Sequence, residues 1–173
     1  TEKDSKISCY QLGLSSTTTT TILYDYADSC GSAHATLYSD VLSEHFKERT
    51  TKEGGIKEET IQMVSLDDFC NSHNIEFIDF MKIDAEGHDL EVLKGGRNML
   101  AKNRIKIIQF EFNANMIYSR VFLKDFYESL ESYFIFRLDS NQLIPLFNYT
   151  PHNEIFSYQN CIAIHKDFYQ QEG

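Results

Sequence analysis

The chain lacks several features that mark common protein classes. Among its 173 residues there is no tryptophan and there are only two prolines, so no proline-rich linker divides it. No apolar run approaches the roughly 20 residues that a membrane-spanning helix needs. The cysteines Cys9, Cys30, Cys70 and Cys161 are scattered without a CxxC pair, which excludes the usual zinc spacings. We expect buried free thiols in a reducing compartment and, since the N-terminus resembles no signal peptide, a cytoplasmic protein.

Positive charge is also scarce. Sixteen Lys and Arg residues stand against 26 Asp and Glu residues, giving a formal net charge of −10. So acidic a chain is a poor electrostatic match for nucleic acid or anionic lipid, and we expect neither as a partner. Hydrophobic residues make up 42% of the chain, which is typical of a globular protein. We therefore expect one α/β domain over residues 1–173.

The first third of the chain has strand and loop patterns. Lys6–Leu14 predicts a short strand that ends at Gly13. The threonine run that follows, with the apolar residues after it, predicts a strand through Tyr26. Ser43–Lys57 is polar and contains two adjacent glycines, which predicts a mobile loop. Glu59–Ser65 alternates apolar and polar residues, the pattern of a half-buried strand.

Three local signals complete this part. Asp28–Ser32 has the composition of a turn, and Ala35–Tyr38 is a candidate hairpin partner for the strand before it. Ser65 is expected to cap a short helix with two aspartates in its first turn.

The most informative stretch is Phe77–Gly96, FIDFMKIDAEGHDLEVLKGG. The apolar run Ile75–Ile83 predicts a central parallel strand covered on both faces. An acidic turn follows, and then an amphipathic helix from about His88 to Leu100, whose glycine pair predicts a kink or close packing. In open α/β sheets, ligand sites lie at the carboxyl ends of parallel strands. Asp84 and Glu86 in the turn are therefore candidate site residues.

The sequence predicts a second strong strand over Ile105–Phe112, and its second-to-last residue is a third acid, Glu111. If the two strands are adjacent and parallel, Glu111 lies near Asp84 and Glu86. Such a crevice can hold a divalent cation through oxygen ligands, or raise one carboxyl pKa enough for a general base. Two structural alternatives stand beside this: Asp84 pairs with Lys82 to fix the turn, or Glu86 caps the following helix. Asn113 and Asn115 can add polar contacts or form a turn.

The remaining segments predict one helix and closing strands. Val121–Tyr133 has a helical apolar face, Phe134–Leu138 and Gln142–Phe147 flank a turn, and Cys161–His165 is a last short strand. Alternation of strands and helices followed by closing strands favours a doubly wound α/β sheet with an antiparallel edge.

The central segment resembles a known family. KIDAEGHDLEVLKGG is similar to the KID-x-EG signature of the FkbM family of S-adenosylmethionine-dependent methyltransferases. Val64–Asp68 resembles the small-residue-Leu-Asp segment that precedes it, and Ile107–Phe112 resembles the next strand, which ends in Glu. The resemblance is contiguous over about residues 60–113 and weaker on either side.

The resemblance implies a Rossmann-like class I methyltransferase sheet, mostly parallel with an antiparallel C-terminal edge. It implies methyl transfer from S-adenosylmethionine to a hydroxyl of a sugar or natural product, so the acceptor is a small molecule or glycan. Asp84, Glu86 and Glu111 are then the candidate catalytic residues. Asp84, Gly87 and His88 are the candidate cofactor-binding residues, and a divalent metal remains open.

The chain departs from the family pattern at the donor site. The family's glycine-rich donor loop and the acidic residue after its second strand have no counterpart here, and Lys6–Leu14 looks like its third strand. The resemblance thus covers the later two-thirds of the domain, and the first two strands lie outside the chain or have been lost. This leaves two alternatives to an enzyme of this class: a truncated or degenerate non-catalytic α/β binding module, and a metal-dependent hydrolase that uses the three acids.

Overall fold

A computed structural model describes residues 6–27, 32, 34–52 and 54–169. Its strands are β1 (Gly13–Ser15), β2 (Thr19–Tyr26), β3 (Ile56–Ser65), β4 (Ile78–Lys82), β5 (Ile105–Phe112), β6 (Tyr133–Leu138), β7 (Leu143–Pro145) and β8 (Gln159–His165). Its α-helices are α1 (Lys47–Lys52), α2 (Leu66–Ser72), α3 (Asp89–Gly95), α4 (Arg97–Ala101), α5 (Asn115–Ser119) and α6 (Leu123–Ser129). A π-helical turn covers Val41–His45, and 3₁₀ turns cover Pro151–Asn153 and Lys166–Phe168. None of the helices in the described ranges has the length and apolar character to cross a membrane.

The larger sheet has five strands in the order β4-β5-β8-β6-β7. β4 and β5 are adjacent and parallel, as predicted, with Lys82 opposite Gln109. The other three pairings in this sheet are antiparallel. The expectation of a mostly parallel sheet therefore holds only for the β4–β5 pair, which α3 and α4 connect as a crossover.

A second, three-stranded sheet has the order β1-β3-β2, so the first strands do not extend the larger sheet. The threonine-rich strand is confirmed and pairs antiparallel with β3 from Thr19 to Tyr26. The expected strand over Lys6–Leu14 is wrong, because β1 covers only Gly13–Ser15 and pairs with β3 over those three residues. Residues 6–12 are exposed and have no assigned strand pairing.

The expectation of a mobile loop over Ser43–Lys57 is also wrong. The Val41–His45 turn and α1 occupy most of it. Val41 and Leu42 are buried, and Thr50 of α1 donates its hydroxyl to the Leu42 carbonyl at 2.6 Å. The buried Val41 and Leu42 and the Thr50 hydrogen bond thus anchor α1, whose own residues are all polar.

The candidate hairpin partner forms only one antiparallel bridge, between Tyr24 and Thr36. The expected turn at Asp28–Ser32 lies largely outside the described residues. Cys9, Cys70 and Cys161 are free, the last two buried and Cys9 exposed, whereas Cys30 also lies outside the described residues.

β4 is an edge strand rather than a central one within the described residues. Phe80 is 53% exposed, so the strand is not covered on both faces. The core lies on the opposite face of the sheet, where β5 presents Phe110 and Phe112 and both are fully buried. Phe126 of α6 stacks on Phe110 at a ring-centroid distance of 4.3 Å. The apolar sequence of β4 predicted the strand correctly, but not its position in the sheet.

The glycine pair both breaks the helix and allows close packing, as predicted. α3 ends at Gly95 and α4 begins at Arg97. A Cβ on Gly95 would lie 2.0 Å from the carbonyl oxygen of Ser15 in β1. The helix therefore touches the backbone of the smaller sheet here. Ser65 caps α2 as expected, because its hydroxyl accepts the Asp68 amide at 3.0 Å.

Candidate active site

A tight turn joins β4 to α3 at the carboxyl end of β4, which pairs parallel with β5 in the larger sheet. Glu86 has a φ of 48° and Gly87 a φ of 99°, so two successive residues adopt left-handed backbone conformations. This conformation is unfavourable for glutamate and is retained only where the surroundings hold it. A Cβ on Gly87 would lie 3.2 Å from the Asn115 carbonyl oxygen, so the turn packs directly on the start of α5.

The side chain of Glu86 is held between two loops. It is 15% exposed, and Nδ1 of His34 lies 3.8 Å from its Oε1. Asn115 donates its Nδ2–H to Glu86 Oε2 at 2.6 Å. The backbone carbonyl of Glu86 accepts the Thr36 hydroxyl at 3.0 Å. Segment 34–38 and the start of α5 therefore hold Glu86, the first through His34 and Thr36 and the second through Asn115.

Burial and neighbouring charge shift the protonation of Glu86. Burial, and then the negative charges of Asp84, Glu111 and Asp89, raise its pKa to about 7, against the hydrogen bond from Asn115. A carboxyl group with this pKa is half ionised near neutral pH, the range in which a general base is most effective. The structure thus brings the other two sequence-predicted acids, Asp84 and Glu111, within electrostatic reach of Glu86.

Asp89, at the start of α3, lies beneath this group. It is 1% exposed, and its Oδ1 accepts the Glu111 amide at 3.4 Å. Its Oδ2 is buried with no hydrogen-bond partner in the part of the chain that the structure describes. Burial raises the pKa of Asp89 to about 6.

Glu111 closes the site on the β5 side. Its Oε2 accepts Asn113 Nδ2 at 3.5 Å, and its Oε1 accepts the Tyr158 hydroxyl at 2.8 Å. Asn113 Oδ1 in turn accepts the Asn115 amide at 2.8 Å. A continuous polar network therefore runs from Tyr158 through Glu111 to Glu86. Both readings of the two asparagines hold, because Asn113 forms the turn and Asn115 contacts the carboxylate.

Asp84 is paired with Lys82, as the structural alternative predicted. Both side chains are 46% exposed, so Lys82 does not carry a buried charge as its place in an apolar strand suggested. The hydrogen bond to Asp84 raises the Lys82 pKa, which keeps the Lys82 ammonium charged. Asp84 remains exposed to solvent and open to a ligand.

His88 connects the turn to β1 and to segment 34–38. Its Nε2 lies 2.9 Å from Ser15 Oγ, and its Nδ1 lies 3.1 Å from the Tyr38 hydroxyl. Burial lowers the pKa of His88, which favours the neutral imidazole. Ser15 and Tyr38 were not predicted as site residues. No local pattern marks them, since they approach His88 only through the packing of β1 and segment 34–38.

A cleft of about 760 Å³ opens between β4 and the β1–β3 pair. Met63 and Met81 contribute apolar side chains to its lining, and Asp84 and His88 contribute polar ones. Its volume is in the range of small-molecule and cofactor sites. The polar side chains suit hydrogen-bond donors such as the amine and ribose hydroxyls of S-adenosylmethionine. The fit is partial, because Met63 Sδ lies 2.2 Å from the place of a Cβ on the cleft-lining Gly13, so the end of this side chain covers the glycine backbone.

No group of three or more His, Cys, Asp or Glu side chains in the described ranges is arranged to hold a metal ion. The cation-binding interpretation of the three acids therefore has no support from their geometry.

The chain was compared with known proteins. A family model described as the methyltransferase FkbM domain matches residues 2–140. Comparisons with curated proteins and with solved structures gave no match. The matched range covers most of the chain and contains the β4–α3 turn with all three acids. The chain belongs to the FkbM methyltransferase family.

Proposed function

We propose that this domain transfers a methyl group from S-adenosylmethionine to a hydroxyl of a neutral acceptor, a sugar or a natural product. The observation that carries the proposal is Glu86, a carboxylate held in a strained turn at the carboxyl end of β4, with a pKa of about 7. A general base of this kind is what a hydroxyl needs before its oxygen attacks a methyl group.

When bound, S-adenosylmethionine supplies an activated methyl group on a positively charged sulfur. Glu86 accepts the proton of the acceptor hydroxyl, and Asn115 holds Glu86 in position through its 2.6 Å hydrogen bond. Asp84 and His88, which line the cleft, are the residues that would hold the donor. Gly87 acts by permitting the turn, because Asn115 already occupies the space beside its Cα.

The charge of the site favours a neutral acceptor. Asp84, Glu86 and Glu111 lie within electrostatic reach of one another, and like charges at short range repel an anionic ligand. Carboxylates accept hydrogen bonds from hydroxyl groups without that cost. A polyol such as a sugar therefore matches the site better than a phosphorylated or carboxylated compound.

The proposal is tested by a methyl-transfer assay with the full-length protein and isotopically labelled S-adenosylmethionine. Neutral glycosides are compared with phosphorylated and carboxylated analogues, with and without a metal chelator. We expect labelled methyl ether on the neutral acceptors, undiminished by the chelator. Glu86→Gln and Asp84→Asn should lower the rate by roughly 10²-fold while the proteins stay folded. Exclusive activity on anionic acceptors, or wild-type rates in both variants, would contradict the proposal.

One observation favours the alternative, a non-catalytic α/β binding module. The end of the Met63 side chain covers the cleft-lining Gly13, so a donor reaches that backbone only after this side chain moves. We expect this 173-residue chain by itself to bind S-adenosylmethionine more weakly than micromolar, as measured by calorimetry, and the full-length protein to bind it. If the full-length protein also fails to bind the donor, the domain is a non-catalytic binding module rather than an enzyme.

A further inference from the structure

We propose that the ring of Tyr158 is the platform on which a sugar acceptor stacks beside Glu111. The inference deepens the proposed function and depends on it for the identity of the acceptor. Tyr158 is 68% exposed, among the most exposed large hydrophobic side chains in the described ranges. It lies directly before β8, whose first residues pair with the end of β5. Its hydroxyl bonds Glu111, so this exposed ring adjoins the candidate site.

Tyr158 is exposed but held in one orientation. Its hydroxyl donates to Glu111 Oε1 at 2.8 Å and accepts Asn160 Nδ2 at 3.2 Å. Asn160 is fixed in turn, because its Oδ1 accepts Gln109 Nε2 at 2.8 Å. The hydrogen bond to Glu111 raises the Tyr158 pKa, so the hydroxyl remains a donor at neutral pH. The ring is thereby anchored at its polar tip while much of its surface stays open to solvent.

The segment that carries Tyr158 is anchored at both ends. Glu154 accepts the amides of Leu123 at 2.8 Å and Lys124 at 3.1 Å, which ties the segment to the first turn of α6. Gln159 donates its Nε2–H to the Ile155 carbonyl at 2.6 Å. A ring placed on a fixed segment loses little conformational entropy when a ligand binds, which is the advantage of a preorganised site.

The surroundings of the ring match a sugar. A pyranose presents an apolar face of C–H groups with hydroxyl groups around its edge. The exposed ring of Tyr158 offers an apolar surface. The half-exposed carboxylate of Asp84, within electrostatic reach of the tyrosine, offers an acceptor for the hydroxyls. The network from Glu111 through Asn113 and Asn115 connects the tyrosine to Glu86, the proposed base.

The test compares wild type, Tyr158→Phe, Tyr158→Ala and Phe168→Ala in the full-length protein. Phe168 is the matched control, an aromatic residue that is 40% exposed and lies in the 3₁₀ turn after β8, at the other end of that strand. The probe is methyl β-D-glucopyranoside, with the acyclic polyol glucitol as a ligand that has hydroxyls but no stacking face. Binding is followed by saturation-transfer difference NMR, and KM and kcat by methyl transfer.

We expect Tyr158→Ala to raise the dissociation constant and KM for the glycoside about tenfold, as loss of an aromatic contact does, with kcat changed less than threefold. Tyr158→Phe should have a smaller effect because the ring remains, and Phe168→Ala should have none. Methyl transfer with an unchanged KM in Tyr158→Ala would overturn the platform and leave the proposed function intact. Glycoside binding that depends on Tyr158, in a protein without methyl transfer, would support the platform and overturn the proposed function. An equal loss of glucitol and glycoside binding would overturn stacking.

Discussion

Glu86 combines three conditions that are unfavourable for a glutamate: burial, a left-handed backbone and three nearby acids. Each condition lowers the stability of the folded protein. A buried carboxylate is poorly solvated and like charges repel, and a left-handed backbone is strained for a residue with a Cβ. The hydrogen bond from Asn115 offsets part of this. Strain of this kind is concentrated at functional sites, where it maintains a geometry that an unstrained turn does not give.

The raised pKa of Glu86 predicts a pH-dependent stability. Its folded-state pKa of about 7 exceeds the ordinary value of 4.5, so between these values the folded protein binds more protons than the unfolded chain. Stability from this group is therefore full below pH 4.5 and lost as the pH rises through 7. Glu86→Gln removes the titration, and we expect the variant to exceed wild type by up to roughly 3 kcal/mol above pH 7 and to equal it near pH 4.

The measurement is urea denaturation of both proteins across this pH range, with Glu91→Gln as the control. Burial would raise the Glu91 pKa, but the hydrogen bonds from Lys94 and Ser16 outweigh it and hold the pKa below its ordinary value. Glu91→Gln should therefore be less stable than wild type at high pH, a change of opposite sign. A difference between Glu86→Gln and wild type that does not grow with pH would show that Glu86 is not perturbed.

The break between α3 and α4 positions the site at the level of secondary structure. β1 reaches His88 through Ser15, and Ser15 itself packs on Gly95 without room for a methyl group. Any residue larger than glycine at position 95 would therefore push the smaller sheet away from α3, the helix that begins at the acidic turn.

We expect Gly95→Ala to destabilise the protein by about 1–3 kcal/mol, the usual cost of overpacking against a rigid neighbour. Its Cβ would meet backbone atoms, the Ser15 carbonyl at 2.0 Å and the Leu66 amide nitrogen at 3.2 Å. Gly96→Ala is the matched control, because its Cβ would meet the end of the Leu66 side chain at 2.7 Å, and that side chain can rotate away. Chemical denaturation compares the two, and a Gly95→Ala variant as stable as wild type would refute the packing argument.

Elements with a strong local pattern could be predicted from the sequence. β4, the turn and β5 were placed correctly, because apolar runs followed by acids and glycine favour only a few structures. The edge position of β4 was missed, since Phe80 and its neighbours have the same composition whether or not another strand covers them. The short helix Lys47–Lys52 was missed because polar residues carry no periodic signal, and its anchor, Leu42, lies outside it.

On the scale of the whole molecule, the candidate site depends on how two sheets meet. The acids belong to the β4–β5 edge of the larger sheet, whereas Ser15 belongs to the smaller one, and His88 joins them. The three acids could be predicted as a group because parallel strands align their carboxyl ends. Ser15, His34 and Tyr38 could not, because their approach to the turn depends on long-range packing that sequence spacing does not record.

The central claim is that Glu86 is the base that activates the acceptor hydroxyl. The most direct test is the pH dependence of kcat/KM for methyl transfer by the full-length wild type and Glu86→Gln between pH 5.5 and 8.5, since this ratio reports the pKa of groups in the free enzyme. We expect the wild-type value to rise tenfold per pH unit below about 7, the pKa of Glu86, and to level off above it. Glu86→Gln should be roughly 10²-fold slower with no such inflection. The same rate and the same inflection in both proteins would contradict the claim.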